Sequence, residues 1–168
     1  KVKKVSHLNN FQFFKTKHIN HVYNKLSHKD KAMKLFDIEF SEGEFIAKEV
    51  VRCTMLHINL NKTIPEFTLD KEGFLEKVSA LAGNKDIDIK NHNDFSKRFH
   101  LLGDNETGIT KFFNNDITNF FECNPYYHVE SNGESLLIFG KERLASVKEI
   151  KALFDFGKRL KVAIKGSD

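Results

Sequence analysis

The spacing of the apolar residues changes along this chain, and this change constrains the fold more than any other feature. In "KAMKLFDIEF" (31–40) apolar and polar residues alternate, and the longer stretch 45–60 is rich in β-branched and apolar residues. With "SEGE" (41–44) as a turn between them, these stretches predict an antiparallel hairpin. In 105–123 the apolar residues instead recur every three or four positions, which predicts an amphipathic helix.

Further strands are predicted on both sides of that helix. They are rich in apolar and aromatic residues and lie in three places: 66–69, 98–102 and 126–140. The last of these is a hairpin, because Asn132-Gly133 near its centre is the strongest short turn signal. Between the first two, 86–89 is predicted to be extended and 91–94 to be a polar loop.

Two more helices complete the pattern. Asp70 is the predicted N-cap of a helix over 71–82. Ser146, with Glu149 three positions later, predicts a capping box at the start of a C-terminal helix. Locally paired strands interrupted by helices favour an α+β fold, with a mainly antiparallel sheet of about five strands and three covering helices. Most of the 17 Phe residues are expected to lie in its core.

The first 31 residues are predicted to form a basic N-terminal arm, and residues 32–168 a single α+β domain. The first 34 residues contain nine lysines and one acidic residue, Asp30, whereas the whole chain carries a net charge of only +4. A basic segment beside a nearly neutral domain indicates contact with an anionic partner. Six lysines are assigned to this anionic surface binding: Lys1, Lys3, Lys4, Lys15, Lys17 and Lys25.

The arm has three interpretations. Its lysines would contact anionic lipid, or its phenylalanines (Phe11, Phe13 and Phe14) would stack on the bases of a nucleic acid, or the same rings would pack on the domain. The nearly neutral domain and the absence of a recognition-module signature disfavour nucleic acid. We therefore expect an unidentified protein partner or an anionic membrane surface, and no small-molecule substrate is evident.

The stretch "GDNETGIT" (103–110) comes close to the pattern of a phosphate-binding loop. Such a loop needs a lysine directly after its second glycine, where it reaches the outer phosphates. Here that position is Ile109, and Asp104 and Glu106 would repel a polyphosphate. The same acids suit the positive end of a helix. We therefore interpret the stretch as a turn from strand to helix with an N-cap at Asp104 or Asn105.

Several segments share a pattern with an uncharacterised group of bacterial proteins, and the chain resembles this family over its larger part. The matching residues are Phe67, Leu69, Asp86, Ile87, Asp88, Phe95, Ser96, Leu102, Gly103, Val129 and Glu130. Members often carry transmembrane helices ahead of this domain, so the resemblance implies a cytosolic module close to a membrane. Since the first residue is Lys1 and not Met, we also expect further sequence upstream.

No set of residues in the sequence predicts a particular catalytic activity. His18 and His21 have a helical ligand spacing, and Cys53 and His57 share one face of a strand, but a metal site needs three or four converging donors. We therefore expect no metal and no cofactor. The two cysteines are expected to be reduced and buried.

Candidate catalytic groups are equally incomplete. Cys123 would need His128 or His100 as its base, and no local signature surrounds it. Asp86 and Asp88 are interpreted as solvated acids at a sheet edge.

We conclude from the sequence that this is a non-enzymatic accessory or interaction module. It is expected in the cytoplasm, tethered at the inner face of the membrane by its upstream part. The alternatives are a nucleic-acid-binding protein that uses the basic arm, and a hydrolase-like enzyme whose catalytic set is scattered over loops.

Overall fold

The computed structural model describes residues 6–29, 31–43, 48–71 and 86–166. These residues form an α+β fold around one antiparallel sheet, with strand order β1-β2-β3-β7-β6-β4-β5. The strands are β1 (His18–Ser27), β2 (Met33–Glu42), β3 (Glu49–Asn59), β4 (Phe67–Lys71), β5 (Phe99–Leu102), β6 (His128–Ser131) and β7 (Ser135–Phe139). The predicted class and the antiparallel sheet are confirmed, but the sheet has seven strands and not five.

Four α helices lie in the described part of the chain, where three were expected in the whole. They are α1 (Asn93–Arg98), α2 (Glu106–Phe112), α3 (Asn115–Glu122) and α4 (Val147–Lys165). Two short 3-10 helices, Ser6–Asn10 and Gln12–Phe14, precede the first strand. No helix within the described ranges is long and apolar enough to cross a bilayer.

The helices all cover one side of the sheet, called the first face here. Its strands contribute aliphatic side chains such as Leu56, Leu69 and Ile138, and the helices add Phe95, Ile109, Ile117, Phe121 and Phe156. Helix α4 approaches the strands closely at Gly157, where an added Cβ would lie 3.0 Å from Met33 Cε. This face therefore holds the larger of two apolar cores.

The opposite side of the sheet, the second face, is covered by the chain before β1. Residues 6–17, called the N-terminal segment here, lie across the strands and bury four apolar side chains: Leu8, Phe11, Phe13 and Phe14. They pack on second-face residues of the central strands, among them Phe40, Met55 and Phe139. The aromatic rings of this smaller core pack edge to face, as in the pair Phe13 and Phe40, whose ring centroids lie 5.4 Å apart.

The basic arm thus contributes to the sheet as well as to its covering. Strand β1 lies within residues 1–31 and pairs antiparallel with β2 over its whole length, with two register shifts along the way. Its side chains are exposed or half-buried, because it is the edge strand. Poor apolar alternation is expected of such an edge, so no strand was predicted there from the sequence.

The predicted helix over 105–123 is two helices. Asn114 interrupts it, and its side chain accepts hydrogen bonds from the backbone N–H groups of Asp116 and Ile117, both at 3.1 Å. Asparagine is among the best N-cap residues, so a new helix begins at Asn115. The apolar spacing continues across this break, which is why the sequence predicted one helix.

Three further predictions concern the chain from β4 to β5. The polar loop predicted at 91–94 is wrong in part, since Asn93 begins helix α1. Asp70 lies in β4, where the predicted helix would have placed it at an N-cap. The predicted helix itself falls on residues outside the described ranges, apart from Lys71.

The C-terminal predictions are confirmed. Strands β6 and β7 form the hairpin, with Gly133 at φ +93° in its turn, a backbone conformation that favours glycine. Ser146 and Glu149 form a capping box at the start of α4. The first hairpin, β2 with β3, also forms, but Ser41 and Glu42, which were expected in its turn, belong to β2 and pair with Val50 and Glu49.

Candidate binding groove beside the N-terminal segment

The second face changes character across the sheet. On β4 and β6 every second residue points to this face, as required by the strand repeat, and these residues are polar: Thr68, Asp70, His128 and Glu130. All four are buried. A buried charged group is costly unless it is paired, so their contacts determine what this region can do.

Asp70, His128 and Glu130 form a continuous chain of interactions. Nδ1 of His128 lies 3.1 Å from Oδ2 of Asp70, and its Nε2 lies 3.5 Å from Oε2 of Glu130. The three side chains are 7%, 3% and 2% exposed, respectively. The imidazole also stacks on Phe139, with ring centroids 4.5 Å apart.

His128 is held as a cation by its two neighbours. Burial alone would lower the pKa of its ring, but the hydrogen bonds to Asp70 and Glu130 outweigh burial and raise that pKa to about 9. At neutral pH an imidazolium therefore lies between two carboxylates. Both ring nitrogens face these partners, so the ring has no nitrogen directed at a substrate.

Glu130 extends this chain to the N-terminal segment. Its carboxylate accepts hydrogen bonds from the backbone N–H groups of Gln12 and Phe13, the latter at 3.0 Å. Hydrogen bonds between ionised and neutral groups are among the stronger ones in proteins. The buried cluster therefore fixes the N-terminal segment on the sheet, a role that none of the sequence motifs indicated.

A groove of about 710 Å³ opens next to this attachment. Its walls are formed by the N-terminal segment, by strands β4, β5 and β6, and by two turns. The lining residues are Asn10, Gln12, Lys15, Glu66, Phe67, Thr68, Leu102, Gly103, Asp104, Asn105, Glu130, Ser131 and Asn132. Ligand pockets in proteins span about 300–1,000 Å³. The groove is thus large enough for a small ligand or a short stretch of peptide, and we call it the groove from here on.

The groove has a mixed lining, whose polar part is mainly neutral. Side-chain amides and hydroxyls, which can donate and accept hydrogen bonds, make up six of the thirteen lining residues, and the apolar Phe67 and Leu102 also belong to the lining. Glu66 and Asp104 are exposed carboxylates, whereas Lys15 contributes one ammonium group. Such a lining suits a ligand that itself alternates donors and acceptors and carries a positive charge.

The near-miss phosphate loop lies in the wall of this groove and has the structural role that the sequence indicated. Asn105 caps α2 by accepting a hydrogen bond from the backbone N–H of Gly108 at 2.9 Å. Ile109 is completely buried in the first face. Gly103 is required by close approach, because an added Cβ would lie 2.8 Å from the backbone oxygen of Glu66.

The six lysines assigned to an anionic surface do not form one patch in the described part of the chain. Lys1, Lys3 and Lys4 lie outside the described residues. Lys15 lines the groove. Lys17 is buried against Phe13 and forms an ion pair with Glu42 at 3.3 Å, and Lys25 lies on strand β1.

The phenylalanines of the N-terminal segment decide between the interpretations of the arm. Phe11, Phe13 and Phe14 are all at most 3% exposed. Buried rings have no free face for a nucleic-acid base, so the stacking interpretation is wrong for these three. The interpretation in which they pack on the domain is confirmed.

The cysteines differ from one another. Both are free thiols, as expected, but Cys123 is exposed and only Cys53 is buried. Burial, followed by the charges of Glu142 and Asp37, raises the pKa of the Cys53 thiol, and this thiol donates a hydrogen bond to the carbonyl of Lys141 at 3.1 Å. A buried thiol that stays protonated is a poor nucleophile.

Two other candidate catalytic residues, His100 and Asp86, form a structural contact with each other. Nδ1 of His100 lies 2.8 Å from Asp86, whose other oxygen accepts a hydrogen bond from the backbone N–H of Leu101. Asp86 is therefore a bonded group at the β5 edge and not simply a solvated acid. Within the described ranges no three His, Cys, Asp or Glu side chains are grouped so that they could hold a metal ion.

Comparison with known proteins identifies no relative of this chain. It matches no family model, no curated protein sequence and no solved structure. Its function therefore has to be argued from its own geometry.

Proposed function

We propose that this protein is a non-enzymatic interaction module that binds a basic, extended segment of a partner polypeptide in the groove. The observation that carries the proposal is the construction of the groove. One wall is the N-terminal segment, which Glu130 holds to the sheet through main-chain hydrogen bonds. Binding sites that are formed in advance cost less ordering on association.

The lining matches the chemistry of a peptide main chain. A peptide group presents one N–H and one C=O, and a side-chain amide offers the complementary pair. Asn10 and Gln12 are exposed on one wall, and the lining also contains Thr68 and Ser131, which are buried. These groups support binding of an extended chain in which neither N–H nor C=O is used internally.

The charges favour a basic segment. Of the carboxylates in the lining, Glu66 and Asp104 are exposed, whereas Glu130 is buried. Lys15 is the opposing ammonium. Opposite charges at the rim of an interface mainly set orientation and the rate of association. A lysine or arginine of the partner is expected to lie between the two exposed acids.

Several contacts favour binding over catalysis. Both nitrogens of His128 face carboxylates, and the Cys53 thiol is buried with a raised pKa. The groove has no exposed nucleophile next to a free base in its lining. These features support a module that holds a ligand without transforming it.

The proposal is tested by panning a library of random 12-residue peptides displayed on phage against the full chain. Enriched peptides are expected to carry Lys or Arg, and their synthetic forms to bind saturably in fluorescence anisotropy. Combined Glu66→Lys and Asp104→Lys replacement is expected to weaken binding by about tenfold or more, because two attractive contacts become repulsive.

Glu49→Lys is the matched control, since Glu49 is an exposed acid at the opposite end of β3 from the residues that pair with β7. Compared with each single groove variant, Glu66→Lys or Asp104→Lys, it makes the same charge change away from the groove, and binding should stay as in the unaltered protein. The proposal fails if no peptide is enriched, or if the control weakens binding as much as the groove variant does.

Cytoplasmic location and a tether at the inner face of the membrane stay predictions from the sequence. Fractionation of cells that express the full-length gene product tests both. Recovery of all the protein in the soluble fraction would contradict the tether without affecting the groove proposal.

A further inference from the structure

A second hollow, of about 470 Å³, adjoins the groove, and Asn10 and Asn132 line both. Its wall contains two imidazoles, His7 and His57, whose ring centroids are 5.1 Å apart in an edge-to-face arrangement. Neither ring takes part in the Asp70–His128–Glu130 chain described above. The hollow therefore contains titratable groups that the proposed peptide-binding function does not use.

His57 is unusual among the buried polar residues. The strand repeat of β3 points it to the second face together with Cys53 and Met55, so it enters a largely apolar layer. It is 3% exposed, and its Nδ1 is buried without a hydrogen-bond partner among the described residues. A buried polar group without a hydrogen-bond partner destabilises the folded protein. Such a group at the wall of a hollow is typical of a binding position.

The charges around the two rings are mainly positive. Lys34 is the cross-strand neighbour of His57 on β2. Lys34 and Lys25 are close enough to His7 to act on its titration. On the loop after β3, Lys62 is the lysine among the residues that line the hollow, and Glu134 from the β6–β7 hairpin is the carboxylate in this lining. Lys34 and Lys25 therefore act on the imidazoles, and Lys62 lies in the wall of the hollow.

We propose that this hollow binds a small oxyanion, a phosphate, sulfate or carboxylate group, at His7, His57 and Lys34. Imidazole N–H groups donate to such oxygens, and the ammonium group supplies the opposite charge. A metal dication fits less well. It would meet the repulsion of the lysines, and the described residues supply no third ligand.

The titration of the two rings gives the proposal a pH dependence. Burial, followed by Lys34 and Lys25, lowers the pKa of His7. Burial, followed by His7 and Lys34, lowers the pKa of His57 to about 4. Both rings are therefore neutral at pH 7 in the empty hollow. A bound oxyanion offsets the lysine charges and raises both pKa values, so binding takes up protons and strengthens as the pH falls.

Titration of the full chain followed by NMR of the His7 and His57 ring protons tests the site. Sulfate is the probe for the pH series, because its charge is constant between pH 5 and 8. We expect saturable shifts, with an affinity that rises by about threefold or more per pH unit as the pH falls, since each proton taken up contributes at most tenfold per pH unit. Phosphate and acetate, compared at one pH, distinguish a phosphate-bearing ligand from a carboxylate.

Two variants locate the binding. Lys34→Ala, at an exposed position, is expected to weaken sulfate binding by about fivefold. Lys111→Ala is the matched control, because Lys111 is an exposed lysine on α2, which packs on the first face. His57→Phe is expected to abolish saturation, with its fold checked by the amide spectrum.

Three outcomes would overturn the proposal. They are shifts that rise linearly without saturation, equal weakening by Lys34→Ala and Lys111→Ala, or binding that strengthens as the pH rises. Because sulfate and the phage peptides address separate hollows, loss of either result leaves the other proposal standing.

Discussion

The two faces of the sheet are covered in different ways. The first face is covered by four helices, and its buried residues are almost entirely aliphatic or aromatic. The second face is covered by twelve residues of irregular and 3-10 structure, residues 6–17. These residues contact both an apolar core and the buried carboxylate of Glu130. One sheet thus has a cover held by packing and a cover held partly by directional bonds.

This difference indicates which substitutions should destabilise each cover. Packing energy on the first face is spread over many contacts, so removal of a large ring costs stability throughout the domain. On the second face a single carboxylate bonds two backbone N–H groups and one imidazolium. Its loss should release one segment before the rest of the domain unfolds. The following predictions test that contrast, in order of decreasing effect.

The largest effect is expected for Phe113→Ala on the first face. Phe113 lies 5.0 Å from the ring of Phe67, 5.6 Å from Phe95 and 5.8 Å from Phe121. Deleting such a ring from a core costs about 3–5 kcal/mol. Urea unfolding should show this loss, with fluorescence and circular dichroism giving the same midpoint. Separate midpoints, or a loss below about 1 kcal/mol, would contradict a cooperative first-face core.

Glu130→Gln on the second face comes next, at about 2–3 kcal/mol. The amide keeps one acceptor but removes the charge that pairs with His128. Hydrogen exchange should accelerate at the Gln12 and Phe13 amides more than at amides of β3. Glu134→Gln, an exposed change in the same hairpin, is the control and should stay within about 0.5 kcal/mol of the unaltered protein. Uniform acceleration over the whole sheet would argue against a separately releasable segment.

The pH dependence of stability should show the buried imidazolium. Because the pKa of His128 is raised to about 9 in the folded protein, its contribution is complete below pH 6.5 and is lost as the pH rises through about 9. We expect a loss of about 2–3 kcal/mol over this interval in urea unfolding. In His128→Gln the free energy of unfolding should vary much less between pH 6.5 and 9. An equal slope in both proteins would contradict the assignment.

The smallest effect is expected at the joint between α2 and α3. Asn114→Ala removes the N-cap of α3 and should cost about 1 kcal/mol. The exposed Asn119→Ala in the same helix is the control and should change stability by no more than about 0.5 kcal/mol. If the two variants are equal, the helix break has another cause than the cap.

Much of the first face could be predicted from the sequence, because its elements are amphipathic. The β2–β3 hairpin, the Asn132-Gly133 turn and the capping box at Ser146 all carry local signals that act within a few residues. Strand β1 and helix α1 were missed, since an exposed edge strand and a single short helix leave little periodicity. The break at Asn114 was missed because the apolar spacing runs through it.

The binding region was beyond sequence reasoning for a physical reason. Asp70 and His128 are 58 positions apart, and Glu130 is 118 positions from Gln12. The alternation in "FTLD" and "HVES" places polar residues on one strand face, and such residues are normally interpreted as solvent-facing. Only the antiparallel pairing of β4 with β6, under the N-terminal segment, makes that face an interior.

The long separation between Glu130 and its backbone partners also bears on how the chain is made. Gln12 is added to the growing chain 118 residues before Glu130, which at about 5–20 residues per second is roughly 6–24 seconds. During this interval Phe11, Phe13 and Phe14 have neither the β7 surface nor the anchoring carboxylate. The apolar side chains of the N-terminal segment are therefore exposed during synthesis. Chaperones are expected to bind this segment until the β6–β7 hairpin has been made.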